Sequence, residues 1–351
     1  MTQSDSSRPA ALVTGGAGFI GSHVVRALAA QGRVRVVALD DLSGGFRANV
    51  PDGVAFIEGS ILDRDLLARA FDEHRFRYVY HLAAYAAEGL SHFIRGFNYT
   101  NNVLGSIYLV NEAVRHEVEC FVFTSSIAVY GAVTPPMRED QAPQPEDPYG
   151  IAKFAVEQDL RAAAHMFGLR HVVFRPHNVF GEYQNIGDPY RNVVGTFMNQ
   201  VMQGRPLSIF GDGTQQRAFT YVGDVAPVIA GSPWVAAASN EIFNIGSGVP
   251  CTVNEMAEYV REAMGVPEHP IQHLPPRLEV QFAWSDHSKA DRVFGASAQT
   301  PIAEGVRRMA AWAKTVGVQH GKPFEGLELT KNMPPSWLAL VKPGGATGSG
   351  A

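Results

Sequence analysis

Cysteine is nearly absent: the 351 residues include only Cys120 and Cys251, and no CxxC pair. That excludes a disulfide framework, argues against structural zinc and fits a reducing compartment. No apolar run is long enough to cross a bilayer, and no basic segment followed by an apolar one marks a signal peptide at the N-terminus. A soluble, cytoplasmic protein with no membrane partner is the expectation. An excess of one charge is lacking too. Lys and Arg number 29 against 34 Asp and Glu, for a net charge of -5. With no basic block, nucleic acid is not an expected partner, and an anionic ligand has to be met by a few placed arginines. The 12 histidines are scattered without a Cys/His cluster, so no metal site is expected.

What the chain does have is alternation. After a polar segment over 1–9, expected to be disordered, Ala10 to Thr14 reads as a strand that runs into Gly15-Gly16-Ala17-Gly18-Phe19-Ile20-Gly21 and a helix over 22–30. Gly15, Gly18 and Gly21 are spaced to make a tight turn, let the backbone approach a pyrophosphate and pack helix closely on strand. A second strand over 34–39 ends in Asp40, near the interval expected for the acid that binds an adenosine ribose. A carboxylate there repels a 2'-phosphate and favours NAD(H) over NADP(H). Strands over 54–58 and 77–81, a helix over 64–71, a long helix over 97–115, a strand over 120–123 and a helix from Tyr149 to near Gly168 continue the pattern. This is an α/β chain with a Rossmann-type doubly wound parallel sheet, in which ligands gather at the strands' carboxyl ends, where Gly15, Asp40, Ala83 and Ser126 fall.

The reactive stretch is Asp147-Pro148-Tyr149-Gly150-Ile151-Ala152-Lys153. Asp147 and Pro148 supply a capping residue and the fixed φ that start a helix, and an i, i+4 spacing puts Tyr149 and Lys153 on one face. An ammonium beside a phenol favours phenolate, which a tyrosine needs in order to act as a base near neutral pH.

With the glycine loop, Asp40, Ser126 and Tyr149-x-x-x-Lys153 in that order, the chain resembles the extended short-chain dehydrogenase/reductases, and within them the NAD-dependent sugar-nucleotide epimerases and dehydratases. The resemblance runs from about Ala10 to Ala313 and includes Ser125-Ser126-Ile127-Ala128-Val129-Tyr130-Gly131, Phe174-Arg175-Pro176-His177-Asn178 and Gly211-Asp212-Gly213-Thr214-Gln215-Gln216-Arg217. It implies Ser126, Tyr149 and Lys153 as the catalytic group: the tyrosine as base, the lysine lowering its pKa and binding the nicotinamide ribose, the serine aligning the reacting oxygen. NAD is then expected on Gly15, Gly18, Phe19, Ile20, Gly21, Asp40, Ser60, Ile61, Leu82, Ala83, Ala84, Asn102, Tyr149, Lys153 and Pro176. A nucleotide sugar is expected on Ala86, Glu88, Ser126, His177, Asn178, Asn192, Arg217 and Arg277, the two arginines being candidates for a diphosphate because guanidinium is a planar fork. The NAD-binding domain is placed at 10–178. A smaller α/β substrate module follows over 179–330, some of its segments returning to the first domain, and then a flexible tail over 331–351. Relatives dimerise through two long helices, so a homodimer is expected.

Departures from the family narrow the reaction. Dehydratases carry an acidic pair just after the catalytic hydroxyl residue and decarboxylases a glutamate, whereas this chain has Ile127 and Ala128. Elimination of water then lacks its general acid. Uronate epimerases place an arginine in the loop after the fourth strand, where this chain has Gly89. The expectation is 4-epimerisation of a UDP-hexose of the UDP-glucose/UDP-galactose type through a transient 4-keto sugar. A uronate epimerase, dehydratase or oxidoreductase, and a non-catalytic NAD-binding scaffold, remain as alternatives.

Overall fold

The fold is described by a computed structural model covering residues 8–276, 280–295, 300–321 and 324–338. Strands β1 (Ala10–Thr14), β2 (Arg35–Asp40), β3 (Ala55–Glu58), β4 (Phe76–His81), β5 (Cys120–Thr124) and β6 (His171–Pro176) alternate with helices α1 (Phe19–Gln31), α2 (Arg64–His74), α3 (Glu88–Ser91), α4 (Arg95–Tyr99), α5 (Gly105–Arg115) and α6 (Pro148–Phe167). Then follow β7 (Val179–Phe180), α7 (Val193–Met202), β8 (Leu207–Phe210), β9 (Gln216–Ala218), β10 (Thr220–Tyr221), α8 (Val222–Gly231) and β11 (Glu241–Ile245). The chain closes with β12 (Pro250–Thr252), α9 (Val253–Met264), β13 (Ile271–Leu274), β14 (Phe282–Ala283), α10 (Ser288–Phe294), α11 (Ile302–Val316) and α12 (Pro335–Leu338).

Seven strands form one parallel sheet in the order β11-β6-β5-β4-β1-β2-β3. The central strands read as unbroken apolar runs because helices cover both faces. Ala11 and Val13 of β1 enter the core on one face, Ala10 and Leu12 the core on the other. The order reverses between β1 and β4, and this switch point opens the crevice in which such sheets bind ligands. β11 reaches the sheet edge beside β6 after the chain has passed through β7 to β10, which with the later β12, β13 and β14 form the smaller sheets β10-β7, β12-β9-β14 and β13-β8. Residues 222–245 thus belong to the large sheet and its helices, interrupting the substrate-side segments.

The long helix expected over 97–115 is α4 and α5 joined by a π-helical turn over Thr100–Leu104. Such a turn takes in an extra residue and redirects a side chain. Here it turns Asn102 inward, where Oδ1 accepts from the Tyr85 amide at 2.8 Å and Nδ2 donates to the Tyr85 carbonyl at 3.1 Å. Residues 331–338, expected in a flexible tail, instead pack on the body through Met333 and Trp337, 5% and 6% exposed, because these two apolar side chains cover Ala87, Leu90 and Ile94. Residues 339–351 lie outside those described.

Candidate active site

The glycine loop lies against the switch point. Gly15 has a φ of +68°, and a Cβ built on it would stand 2.7 Å from the Ala83 amide nitrogen. A Cβ on Gly21 would stand 2.0 Å from the Gly15 carbonyl oxygen, so any larger residue there pushes α1 off β1. The Gly18 amide donates to that same carbonyl at 3.0 Å. α1 then starts at Phe19 with no side-chain cap and no acid in its first turn. Its opening amides and the positive end of its dipole face the crevice, which suits a pyrophosphate. At the tip of β2, Asp40 accepts from the Ala17 amide at 3.0 Å and the Leu42 amide at 2.8 Å. Burial raises its pKa and those amides pull it back down. Glycine cradle, open helix start and fixed carboxylate together fit a dinucleotide. Ser60, Ile61, Leu82, Ala83, Ala84 and Pro176 line the same cleft of about 1990 Å³ as Phe19 and Ile20 do. Asn102 does not line it: it is 2% exposed and holds the Tyr85 loop from behind.

The cleft continues to Ser126, Tyr149 and Lys153. Asp147 caps α6, its Oδ1 accepting from the Gly150 amide at 2.9 Å, with Pro148 in the first turn. That start turns Tyr149 into the same stretch of the cleft as Ser126, close enough for the serine to lower the phenol's pKa, while the Ser126 hydroxyl accepts from the Ala128 amide at 3.1 Å. Lys153 is buried. Its Nζ donates to the Thr124 carbonyl at 2.8 Å and lies 5.8 Å from the Tyr149 ring centre.

The electrostatics differ from the expectation drawn from spacing alone. Burial raises the Tyr149 pKa; the Ser126 hydrogen bond and Arg191 lower it, while Glu88 and Asp147 push it further up. Burial also brings Lys153 down to about 7, against a raising effect from Glu157. The phenol is therefore held neutral by the chain alone. A lysine at i+4 provides the cation, but a buried ring between two carboxylates starts from a raised value.

On the substrate side, Ala86, Glu88, Asn178, Asn192 and Arg217 line the cleft. Asn178 adopts a left-handed φ of +39° at the end of β6. Asn192 caps α7, accepting from the Val194 amide at 3.0 Å and donating to the Val179 carbonyl at 3.1 Å. Arg217 holds β14, its guanidinium donating to the carbonyls of Val280 and Gln281. His177 is 2% exposed, with Nδ1 bonded to the Ala218 carbonyl and Nε2 to His287 Nε2, both at 2.8 Å. Both its nitrogens are hydrogen-bonded, and the residue lines the cleft between Pro176 and Asn178. Arg277 lies outside the described residues.

Comparison with known proteins agrees with this geometry. The profile of the NAD dependent epimerase/dehydratase family matches residues 11–246. The chain belongs to this family. A UDP-glucose 4-epimerase of Mycolicibacterium smegmatis is 36% identical over 311 residues, 85% of this chain and 96% of the relative. A putative UDP-glucose 4-epimerase of Methanocaldococcus jannaschii is 33% identical over 308 residues, 86% and 98% of the two chains. Among solved structures, the UDP-glucose 4-epimerase of Thermus thermophilus in complex with NAD superposes with a TM-score of 0.82 at 33% identity, covering 87% of this chain and 99% of that one. The UDP-glucose 4-epimerase of Thermotoga maritima with UDP-glucose gives 0.81 at 35% identity, covering 88% and 99%.

In this member of the epimerase family, two parts of the site were missed from sequence. Arg191, next to the expected Asn192, donates to the Asp188 carboxylate and the Ala86 carbonyl, both at 2.9 Å, and acts on Tyr149. Its neighbour pointed to it, but the loop path over 181–192 that turns it inward left no pattern. The other part is the C-terminal arm over 324–338. Leu329, Lys331, Met333 and Trp337 line the cleft, and Glu328 accepts from the Gly96 and Phe97 amides at 2.7 and 2.8 Å. Its one signal was Met333-Pro334-Pro335-Ser336-Trp337, too apolar for a solvated tail. His269 and His273, spaced HxxxH, bond instead to the Arg205 and Gly211 carbonyls, both at 2.8 Å.

Proposed function

We propose that the protein interconverts UDP-glucose and UDP-galactose by reversible oxidation at C4 of the hexose. One observation carries this reading: Ser126, Tyr149 and Lys153 line one cleft with the glycine loop and the substrate-side residues, the Lys153 ammonium 5.8 Å from the centre of the phenol ring. Gly15, Gly18, Gly21, Asp40 and Lys153 would hold NAD, which when bound would supply the acceptor for the C4 hydrogen with its electron pair, the donor that returns it, and a cationic ring that favours phenolate. Tyr149 takes the C4 hydroxyl proton and gives it back to the opposite epimer. Ser126 holds the C4 oxygen in line with the phenol, and the Lys153 ammonium lowers the energy of the phenolate. No acid follows Ser126: Ile127 and Ala128 occupy the short helical turn that it caps, which supports epimerisation over elimination.

UDP-glucuronate is the competing substrate, since a UDP-glucuronate 4-epimerase of Thermodesulfobacterium geofontis is 28% identical over 334 residues. Arg191 is the cleft cation nearest such a use, and its bonds to Asp188 and Ala86 favour a neutral hexose. The test is incubation of the purified protein with UDP-glucose, UDP-galactose and UDP-glucuronate, with separation of epimers. Turnover of the uronate alone overturns the hexose assignment.

Leu104 of the π turn and Ile151 of α6 are 42% and 40% exposed, which supports a homodimer formed through the α5 and α6 surface. Light scattering that gives a monomer mass at micromolar concentration refutes it. Two free, buried thiols, Cys120 and Cys251, support the cytoplasm as its compartment.

A further inference from the structure

Beneath the reactive trio lies a second layer of charge. Glu157 stands one turn beyond Lys153 on α6 and is 2% exposed. Its Oε1 accepts from the Ser125 hydroxyl at 2.5 Å and from Arg175 Nε at 2.9 Å, and its Oε2 accepts from Arg175 Nη2 at 2.5 Å. Arg175, itself 2% exposed, donates in turn to the Tyr130 hydroxyl at 2.8 Å, and that hydroxyl donates to Asn244 at 2.8 Å. Ser125 lies between Thr124, whose carbonyl receives Lys153, and Ser126. One carboxylate therefore ties the end of β5 to α6, at the place where each presents a reacting side chain.

A buried ion pair is weak evidence for stability, because desolvation of two charges offsets their attraction. This pair has a further geometric feature. The ammonium of Lys153 has one hydrogen bond, to a neutral carbonyl, and Phe123 lies 4.8 Å from it. The titratable groups around it are Tyr149 and Glu157 on α6 and His81 on β4, with Arg175 on β6 beyond Glu157. His81 is bonded to Thr14 and Ser106, and burial lowers its pKa to about 3, so it is neutral. Glu157 is the carboxylate acting on Lys153, and Arg175 withholds part of that charge.

We infer that Glu157 is a positioning residue of the epimerase reaction, holding Ser126 and Lys153 in register through Ser125 and setting a carboxylate one helical turn behind the Lys153 ammonium. The inference rests on the proposed role of Lys153. It makes Arg175 a regulator of that charge as well as a structural partner.

The test compares full-length wild type, Glu157→Gln, Glu157→Asp and the double variant Glu157→Gln/Arg175→Met, all loaded with NAD. Each is read by its kcat-pH profile on whichever nucleotide sugar the wild type turns over and by bound NAD content. In Glu157→Gln the alkaline limb, where Lys153 loses its proton, moves down by about one pH unit, the lower end for loss of a close opposite charge. Glu157→Asp keeps the limb near its wild-type place. The double variant leaves no unpaired guanidinium, so it preserves the fold if Glu157→Gln does not, and its limb moves the same way by less. A substrate-independent reading is thermal stability against pH. Lys153 has a folded pKa depressed from 10.5 to about 7, so its contribution to stability climbs as pH rises through that window. In Glu157→Gln that climb begins at lower pH. Folded, NAD-loaded variants whose limb and melting profile do not move, or move upward, overturn the inference. A wild type inactive on UDP-glucose and UDP-galactose overturns only the proposed substrate.

Discussion

Replacing Tyr149 by Phe removes one oxygen from a ring that is 8% exposed and leaves the ring's packing in place. The expected loss is in the chemical step. General acid–base catalysis is worth about 10²–10⁴ in rate, or about 3–5 kcal/mol of barrier. The cost in stability is smaller. Ser126 keeps the Ala128 amide as a donor, so its oxygen is not orphaned, and the loss is no more than a single hydrogen bond's worth, about 0.5–1.5 kcal/mol. The variant should fold, keep its NAD and bind UDP-glucose with little change in KM, while kcat falls at least a hundredfold. Epimer separation at saturating substrate gives kcat; absorbance of the denatured protein's supernatant gives bound NAD. If Tyr149→Phe retains more than about a tenth of wild-type kcat, Tyr149 is not the base. If it loses its NAD, the phenol is part of the cofactor site and the division of the cleft argued above is wrong.

Gly21→Ala sets a methyl 2.0 Å from the Gly15 carbonyl oxygen, and overpacking of that kind costs about 1–3 kcal/mol. The purified variant should melt lower and carry little NAD; one carrying a full equivalent contradicts the cradle. His177 and His287 have pKa values lowered by burial to about 4 and about 3, so the native pair is neutral while the unfolded chain takes up protons below 6.5. Stability therefore falls as pH drops from 6.5 towards 4, by about 1.4 kcal/mol per pH unit for each histidine. His287→Gln should make that slope, read by urea titration, shallower by one proton. Trp337→Ala empties the contact with Gly89 and the Tyr190 ring, whose centre is 5.3 Å from that of the indole. Freed from the arm, the Glu88 loop should raise KM for the nucleotide sugar several-fold, with NAD content unchanged; an unaltered KM removes the arm from the site.

The dinucleotide half of the cleft was legible because its chemistry is written locally. A tight turn, a close approach and a helix start all fall within Gly15 to Gly21, and the ribose acid lies one strand later. Asp147 and Pro148 announced α6 in the same way, through a cap and a fixed φ. The substrate half was harder to read because its residues are brought together by loops and by short strands such as β9 and β14, whose pairing depends on partners dozens of residues away. His177 shows the limit: the motif put it at the right strand end and it lines the cleft, but its bond to His287, 110 residues on, left no local pattern. The arm escaped notice for the same reason, since Met333 and Trp337 become meaningful only against Ala87 and Leu90.

Tyr149 and Lys153 show why position and charge state must be argued separately. Helical spacing gave the pair's geometry, and the structure keeps it, with the ammonium 5.8 Å from the ring centre. Spacing also suggested an acidified phenol, but the sign of a pKa shift is a property of everything around the group. Burial opposes charge on both residues, raising the phenol and lowering the ammonium, and Glu88 and Asp147 add to the phenol's resistance. A site left in that state is poorly disposed to take a proton. Two things work against it: a cationic ring, when a cofactor supplies one, would favour phenolate, and a carboxylate behind the lysine raises its pKa against burial. The first would come with oxidised NAD bound in the cleft, so the proposed role of Tyr149 as base would depend on the cofactor. The second is Glu157, built into the helix one turn below. On this reading proton removal would be coupled to cofactor occupancy through electrostatics.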